Sequence, residues 1–373
     1  MNLISLEKNP EIKINQKLEK FLNPDCIEIP FENMINIQKK YVYKDEKIFN
    51  NTKSTISGII KGYKKYCNKN KILHTLFIEN DFREMTENKK AKPDKIDIKN
   101  LIKILKDNNE LNLYHKLINN NSIKNIVISA INDEPYVYNN IIILKENIKE
   151  ILELIDELGI YFKADNIYLI VKNNEANIIN DCLNELGTYP NIKLTLVNDE
   201  YLIGRKEFIF EKLKLDSNSE YWLIEEIYNM TKYIFGKDNT TKIITISGDA
   251  IESGKVLEVK KYCLLDEIIK KYIKINEPHL IIVNGLMGGY EISDSAKLII
   301  TDEIFSINIM KKTKRKDSEC IKCGKCISIC PIKINPLEKS DYHKCIDCGL
   351  CSYICPANIN LRKFIKDSGE KNE

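Results

Sequence analysis

The chain has 373 residues, of which 43% are hydrophobic and 30% charged, and this composition is typical of a globular rather than a disordered protein. Its length predicts two to four domains. The 57 lysines and arginines nearly balance the 54 aspartates and glutamates, so no overall charge favours nucleic acid or an anionic bilayer as a partner. Because every apolar stretch is far shorter than the ~20 residues that cross a bilayer, we expect a cytoplasmic protein that meets a membrane only peripherally, through a partner.

The first segment, residues 1–90, contains short apolar runs separated by Asn, Lys, Asp and Gly. These runs, each a predicted strand, lie at residues 27–29, 41–43, 54–61 and 72–78. Short strands at this density predict a small β-barrel or sandwich.

The second segment, residues 91–236, has a different rhythm, in which apolar runs alternate with helical patterns. The runs lie at residues 126–128, 167–171 and 192–197, and the predicted helices at 145–158, 175–186 and 221–235. In the first of these helices, apolar residues recur at three- and four-residue spacing and form one face for a core. Strands that alternate with helices of this length predict an α/β domain with a parallel sheet.

The third segment, residues 237–310, predicts two strands, a helix and a strand, a succession that favours a β-grasp-like module. These elements are expected at residues 243–247, 256–259, 264–272 and 280–283. A basic run at residues 311–316 then opens the C-terminal segment, 311–373. A charge run of this kind is typical of a solvated linker, and the alternative is a docking patch for an acidic electron carrier.

Eight of the twelve cysteines occur in two consecutive C-terminal copies of one pattern, Cys-x2-Cys-x2-Cys-x3-Cys-Pro. This is the ligand pattern of two-cluster bacterial ferredoxins, in which each [4Fe-4S] cluster takes three cysteines from one run and the fourth from the other. The sequence therefore predicts two ligand sets. The first set is Cys320, Cys323, Cys326 and Cys355, and the second set is Cys330, Cys345, Cys348 and Cys351.

Two other uses of these cysteines fit the pattern less well. Paired CxxC runs can bind zinc, but the third cysteine and the Cys-Pro of each run would then have no role. A disulfide framework is not favoured, because no export signal is recognisable and ligand-spaced cysteines inside a cell favour metal. The isolated cysteines are predicted to be small core or surface residues, and they are Cys26, Cys67, Cys182 and Cys263.

Several motifs, taken in chain order, resemble those of the C subunit of the Rnf electron-transport complex and its relatives, which include the electron-transfer protein of proline reductase. The matching stretches are residues 42–48, 57–62, 76–81, 128–130 leading into Glu134-Pro135-Tyr136, 245–250, 284–290 and the two cysteine runs. The resemblance covers nearly the whole chain. It implies a barrel-sandwich domain at 1–90, an α/β domain like the complex I flavoprotein at 91–236, an SLBB β-grasp domain at 237–310 and a two-cluster ferredoxin domain at 311–373.

The members of this family that bind NADH and FMN carry a glycine-dense loop before the Glu-Pro-Tyr signature, and this chain departs from that pattern. Such loops need glycine because the backbone must adopt positive φ and approach a phosphate closely. Here the corresponding region, 107–118, contains no glycine. The sequence therefore predicts a degenerate nucleotide pocket, in which Glu134 hydrogen-bonds locally, Pro135 fixes a turn and Gly204 marks another turn.

The leading hypothesis is an electron-transfer protein that relays single electrons through two [4Fe-4S] clusters between a redox donor and a partner reductase or membrane complex. Expected partners are a ferredoxin- or flavodoxin-type carrier and subunits of a membrane electron-transport complex, with no nucleic acid. A second hypothesis is an NADH-oxidising flavoprotein that uses FMN to split a hydride into single electrons. A third is an adaptor protein whose clusters form a passive relay. No catalytic set of side chains is predicted.

Overall fold

The computed structural model of the chain describes residues 3–7, 9–31, 37–49, 52–68, 71–86, 96–118, 123–237, 239–293, 295, 298–312 and 318–369. Within these ranges the chain forms sheets of six, four, four and two strands, followed by short helices around the eight cysteines. The prediction of a mixed α and β fold with several sheets is confirmed. None of the described helices combines the length and apolar character that a membrane crossing requires.

The N-terminal sheet is antiparallel. Its strands are β2 (Cys26–Phe31), β3 (Tyr41–Val42), β6 (Gly58–Asn68) and β7 (Lys71–Asn80), in the order β2-β7-β6-β3, while β4 (Lys47–Phe49) pairs with β5 (Thr52–Lys53). Ile27, Ile29, Leu76 and Ile78 alternate along β2 and β7 and are fully buried, as expected where one face of a sheet packs on a core.

The predicted strand at 54–61 begins only at Gly58, and this boundary needs correction. Residues 54–57 form a bend instead, in which the Ser54 amide donates to the Glu46 carbonyl at 2.9 Å. The Ser54 hydroxyl also donates to the Ile56 carbonyl at 2.6 Å. Serine and threonine side chains of this kind compete with strand pairing by bonding to nearby backbone groups.

The α/β unit is built on a four-stranded parallel sheet. Its strands are β8 (Asn125–Ser129), β9 (Asn166–Lys172), β10 (Ile192–Val197) and β11 (Ser219–Leu223), in the order β10-β9-β8-β11. Its helices are α1 (Ile98–Asp107), α2 (Leu111–Ile118), α3 (Asn139–Glu146), α4 (Ile148–Phe162), α5 (Ala176–Leu186), α6 (Lys206–Leu213) and α7 (Ile224–Ile234). The predicted apolar face is confirmed on α4, where Ile151, Leu152, Ile155 and Leu158 are fully buried.

Two helix predictions in this unit need correction. The predicted helix 145–158 is interrupted at Asn147, whose amide and side-chain nitrogens both donate to the Ile143 carbonyl and end α3. The predicted helix 221–235 begins only at α7. Trp222 instead belongs to β11, where it is fully buried and pairs with Ile128, because a large aromatic side chain packs well on a sheet.

The third sheet is mixed and has six strands. They are β1 (Ile14–Phe21), β12 (Thr241–Ser247), β13 (Gly254–Lys260), β14 (His279–Val283), β15 (Tyr290–Ile292) and β16 (Ser306–Lys311), in the order β1-β13-β12-β16-β14-β15. The predicted succession of two strands, a helix and a strand is confirmed, with α8 (Leu265–Tyr272) as the helix. The sequence missed β1, an edge strand rich in polar residues that pairs in parallel with β13.

The C-terminal region consists of short helices and tight turns. Its helices are α9 (Lys325–Ser328), a 3₁₀-helix at Lys339–Lys344, α10 (Leu350–Tyr353) and α11 (Leu361–Gly369). The buried residues of this region include Ile334, Tyr342, Leu361 and Ile365. Such a small core gives little stability by itself, so we expect bound metal to stabilise this region.

Candidate metal centre

Two cavities lie in the C-terminal region, and four cysteines line each of them. One cavity contains Cys320, Cys323, Cys326 and Cys355, the first predicted set. The other contains Cys330, Cys345, Cys348 and Cys351, the second predicted set. The other walls are mostly apolar, with Ile321, Leu337 and Leu361 in one cavity and Ile332, Ile334 and Ile365 in the other. Four cysteines around an apolar space are the donor set of a [4Fe-4S] cluster, and the residues present fit one at each cavity.

The two cysteine runs fold as two copies of one motif. Lys322 and Asp347, which precede the second cysteine of each run, both have a φ of 56°. Gly324 and Gly349, which follow that cysteine, have φ values of 71° and 78° and begin α9 and α10. Residues with positive φ turn the backbone sharply, and this allows three successive cysteines to face one cavity. Within the described residues, no group of three or more His, Cys, Asp or Glu side chains is arranged to hold a single metal ion.

The cysteines differ in exposure and in the state of their thiols. Cys320 and Cys323 are exposed, whereas Cys348 is buried. Burial raises the pKa of the Cys351 thiol to about 11 and also raises the pKa of Cys348. Because a metal-bound thiol is deprotonated, binding of the metal must overcome this preference for the neutral form. The amide of Asp347 lies 3.4 Å from the Cys345 sulfur and donates a hydrogen bond to it.

The cavity of the second set is covered by the body of the protein, and we call it the inner cavity. A Cβ atom at Gly349 would lie only 2.3 Å from the Met287 carbonyl oxygen. The Tyr201 hydroxyl donates to the Cys348 carbonyl at 2.6 Å, and Arg205 donates to the Ile346 carbonyl at 2.8 Å. Cys348 and Leu350 also share a buried apolar cluster with Tyr201, Leu202 and Phe208.

The cavity of the first set has two exposed cysteines, Cys320 and Cys323, and we call it the outer cavity. A Cβ atom at Gly324, the counterpart of Gly349, would meet nothing within 4 Å. The two copies of the motif are therefore alike in backbone but have opposite surroundings. One faces the α/β unit and the third sheet, and the other faces solvent at Cys320 and Cys323.

A chain of hydrogen bonds joins the inner cavity to the α/β unit through the loop at 284–290. The Glu134 carboxylate accepts hydrogen bonds from the Met287 amide at 2.9 Å and from the Gly288 amide at 2.8 Å. Arg362 donates to a loop carbonyl at 2.8 Å and to the Asp347 carboxylate at 2.8 Å. The prediction that Glu134 hydrogen-bonds locally is therefore wrong. Both partner motifs are visible in the sequence, but only the fold brings them into contact.

We expect Glu134→Gln to loosen this loop, because the glutamine amide group would replace one acceptor oxygen with an N–H donor that faces a backbone N–H. Loss of this hydrogen bond should lower the free energy of opening of the loop by about 1–3 kcal/mol. Hydrogen exchange at the loop amides of residues 287–288 should then accelerate by about tenfold. The control is Glu146→Gln, a change at an exposed residue of α3, and equal exchange in both variants would contradict this role of Glu134.

A crevice lies near the carboxyl ends of β8 and β9, the position at which open α/β sheets bind ligands. Its charged lining consists of five carboxylates and one amine, from Glu7, Asp133, Glu134, Glu175, Asp199 and Lys172. Burial raises the pKa of both Asp133 and Glu134. The region 107–118, where the family has its glycine loop, forms the end of α1 and helix α2. Phosphate groups need converging N–H donors or positive charge, and a lining with five carboxylates and one amine disfavours the phosphates of FMN or NADH.

The N-terminal residues lie along this crevice, a contact that the sequence does not predict. The Ser5 hydroxyl donates to the Asp199 carbonyl at 3.0 Å, and the Tyr201 amide donates to the Ile4 carbonyl at 2.8 Å. Tyr136, the last residue of the Glu-Pro-Tyr signature, has a φ of 60°, and its hydroxyl accepts from the Asn9 amide. The signature therefore contacts the protein's own N-terminal segment as well as the loop at 284–290.

The other residues considered in the sequence, Gly204 and the isolated cysteines, lie in a turn or in buried or half-buried positions where the structure describes them. Gly204 lies in a turn, as predicted, and its amide donates to the Asp133 carboxylate at 2.8 Å. Cys182 and Cys263 are buried, as predicted for core residues, and burial raises the pKa of Cys182 to about 12 and that of the half-buried Cys26 to about 11. The Cys67 side chain and residues 313–316 of the basic run lie outside the described part of the chain.

Comparison with known proteins identifies a domain family and several relatives. Residues 317–333 and 342–358 match the 4Fe-4S binding domain family. The C subunit of the ion-translocating oxidoreductase complex of Rhodobacter capsulatus is 22% identical over 229 residues, which cover 57% of this chain and 44% of that protein. The C subunit of the Na⁺-translocating ferredoxin:NAD⁺ oxidoreductase complex of Acetobacterium woodii is 30% identical over 104 residues, 27% of this chain and 24% of that protein. The chain thus matches less than half the length of these relatives.

A solved structure shares the fold over a larger part of the chain. It is the NAD⁺-reducing [NiFe]-hydrogenase in the H₂-reduced state, with a TM-score of 0.50 and 10% identity over 73% of this chain and 54% of that chain. At this identity the likeness concerns the fold alone.

The cysteine-lined cavities and the matched domain define the class of protein: this chain carries a 4Fe-4S binding domain. The resemblance noted in the sequence is confirmed by the curated relatives. The chain is similar to the C subunits of these two complexes and carries the two matched segments of the 4Fe-4S binding domain family.

Proposed function

We propose that the chain holds two [4Fe-4S] clusters, one in each cavity, and relays single electrons between a redox donor and a partner reductase or membrane complex. The observation that carries this proposal is that each cavity is lined by all four cysteines of one predicted set. The outer cluster would be held by Cys320, Cys323, Cys326 and Cys355, and the inner cluster by Cys330, Cys345, Cys348 and Cys351. When bound, such a cluster supplies reversible transfer of one electron.

The protein's own residues would ligate the clusters, limit water and order the path. The apolar walls of the inner cavity and its cover, which includes Met287, reduce the access of water. Hydrogen bonds to sulfur and solvent exposure tune reduction potentials, so the Asp347 amide on Cys345 and the exposure of Cys320 and Cys323 would give the two clusters different potentials. Electrons would enter or leave at the outer cavity, since its cysteines reach the surface.

The other units would serve assembly and docking. We assign residues 1–90 to a barrel-sandwich domain, apart from strand β1, which pairs with β13 in the sheet of the third unit. We assign 91–236 to a flavoprotein-like α/β domain, 237–310 to an SLBB β-grasp domain and 311–373 to a two-cluster ferredoxin domain. Partners would be a ferredoxin- or flavodoxin-type carrier, a reductase or membrane electron-transport subunits, and the chain would meet a membrane peripherally through such a partner. The names of the curated relatives support partners of this kind.

The test is anaerobic reconstitution with iron, sulfide and excess FMN, followed by removal of unbound flavin and addition of NADH and then dithionite. We expect the broad cluster absorbance to bleach only with dithionite, because five carboxylates and one amine line the crevice and disfavour nucleotide phosphates. Bleaching by NADH would instead make the chain an NADH-oxidising flavoprotein. Bound zinc without acid-labile sulfide would contradict the proposal in favour of the zinc alternative.

A further inference from the structure

The rim of the outer cavity presents apolar side chains to solvent. Ile321 is 66% exposed and Leu337 is 45% exposed, and both line this cavity. They lie beside Cys320 and Cys323, the exposed cysteines of the first set. Large apolar side chains clustered at the surface next to a functional cavity are typical of an interaction surface.

The same rim carries positive charge. Lys322 and Lys325 line the outer cavity and are exposed, and neither forms an ion pair within the part of the chain that the structure describes. No acidic side chain is among the described residues that line this cavity. At the inner cavity, by contrast, the Asp347 carboxylate lies 2.7 Å from Lys366 and also pairs with Arg362.

We propose that this outer surface, formed by Ile321, Lys322, Lys325 and Leu337, docks an acidic electron-carrier protein. The inference rests on the proposed function, and it identifies the chemistry of the partner and the residues that meet it. Electron-transfer encounters bury little area, with an apolar centre and charges that steer the approach. Ile321 and Leu337 supply the apolar centre, and the two lysines supply the steering charge. The inner cavity offers no such approach, because the body of the protein covers it.

The test measures electron transfer from the dithionite-reduced, reconstituted protein to two haem probes of opposite charge, the acidic soluble domain of cytochrome b5 and the basic cytochrome c. The test variant carries Lys322→Glu and Lys325→Glu. We expect its second-order rate constant at low salt to fall by about tenfold with cytochrome b5 and to rise with cytochrome c. Both differences should shrink at high salt, because surface charges are then screened. A merely damaged cluster site would slow both probes.

The matched control carries Lys103→Glu and Lys212→Glu, which change the net charge equally at exposed positions on α1 and α6. The control should change either rate by less than about twofold, since steering depends on charge near the point of contact. Equal effects in the control and test variants, or unchanged rates in the test variant, would overturn the docking proposal. Iron and sulfide assays on the same samples separate this failure from a failure of the proposed function, because absence of clusters would overturn both.

Discussion

Paired cysteine substitutions are expected to give one of two iron contents, according to whether both cysteines belong to one ligand set. Cys330→Ala with Cys348→Ala removes two ligands of the inner cavity and should leave about four iron and four sulfide atoms of about eight each. Cys326→Ala with Cys330→Ala removes one ligand from each cavity and should remove nearly all of both. Iron and acid-labile sulfide are measured per chain after anaerobic reconstitution.

This pair of variants separates two arrangements of the ligands. If each cysteine run held its own cluster, the two iron contents would be reversed, since Cys326 and Cys330 lie in the same run. Cys26→Ala, a change outside both sets, is the control and should keep about eight iron atoms. The reversed result would contradict the cavity linings, in which Cys330 joins the second run and Cys355 joins the first.

Alanine at Gly349 is expected to damage the protein far more than alanine at Gly324, although both glycines have positive φ. The left-handed conformation alone should cost about 1 kcal/mol at either position. At Gly349 the new Cβ would also lie 2.3 Å from the Met287 carbonyl oxygen. The backbone must then move, and this overpacking should cost a further ~1–3 kcal/mol of stability. The turn at Gly349 should then move away from the loop 284–290, which covers the inner cavity.

Hydrogen exchange measures this separation at the loop 284–290. Gly349→Ala should speed exchange there by about tenfold or more, whereas Gly324→Ala should leave it unchanged, because nothing lies within 4 Å of a Cβ at that position. The two variants share the same backbone strain and differ only in surroundings. Similar exchange in both would contradict the description of Gly349 as a packing contact between the ferredoxin-like region and the body.

The sequence predicts well those features that depend on local pattern. The alternation of apolar runs and helices gave β8, β9, β10 and α5 close to their true bounds, because these elements have strong periodicity and are buried on at least one face. The two-cluster ferredoxin pattern likewise predicts two sets of four cysteines, and each set lines one cavity. That each set binds one cluster stays a prediction.

The sequence predicts poorly those features that depend on contacts between distant segments. Strand β1 has little apolar pattern because it lies at a sheet edge, and only its pairing with β13 defines it. The partners of Glu134 lie more than 150 residues away. The difference between an inner and an outer cavity is also invisible in two nearly identical cysteine runs, because it arises from Met287 and Tyr201 in other units.

The most direct test of the two proposed clusters is an anaerobic reductive titration of the purified protein, combined with iron and sulfide analysis of the same sample. We expect about eight iron atoms, about eight sulfides and about two electrons accepted per chain, one for each cluster. A chain that holds zinc without sulfide, or that accepts no electrons when its iron content is full, would contradict the proposal of two clusters.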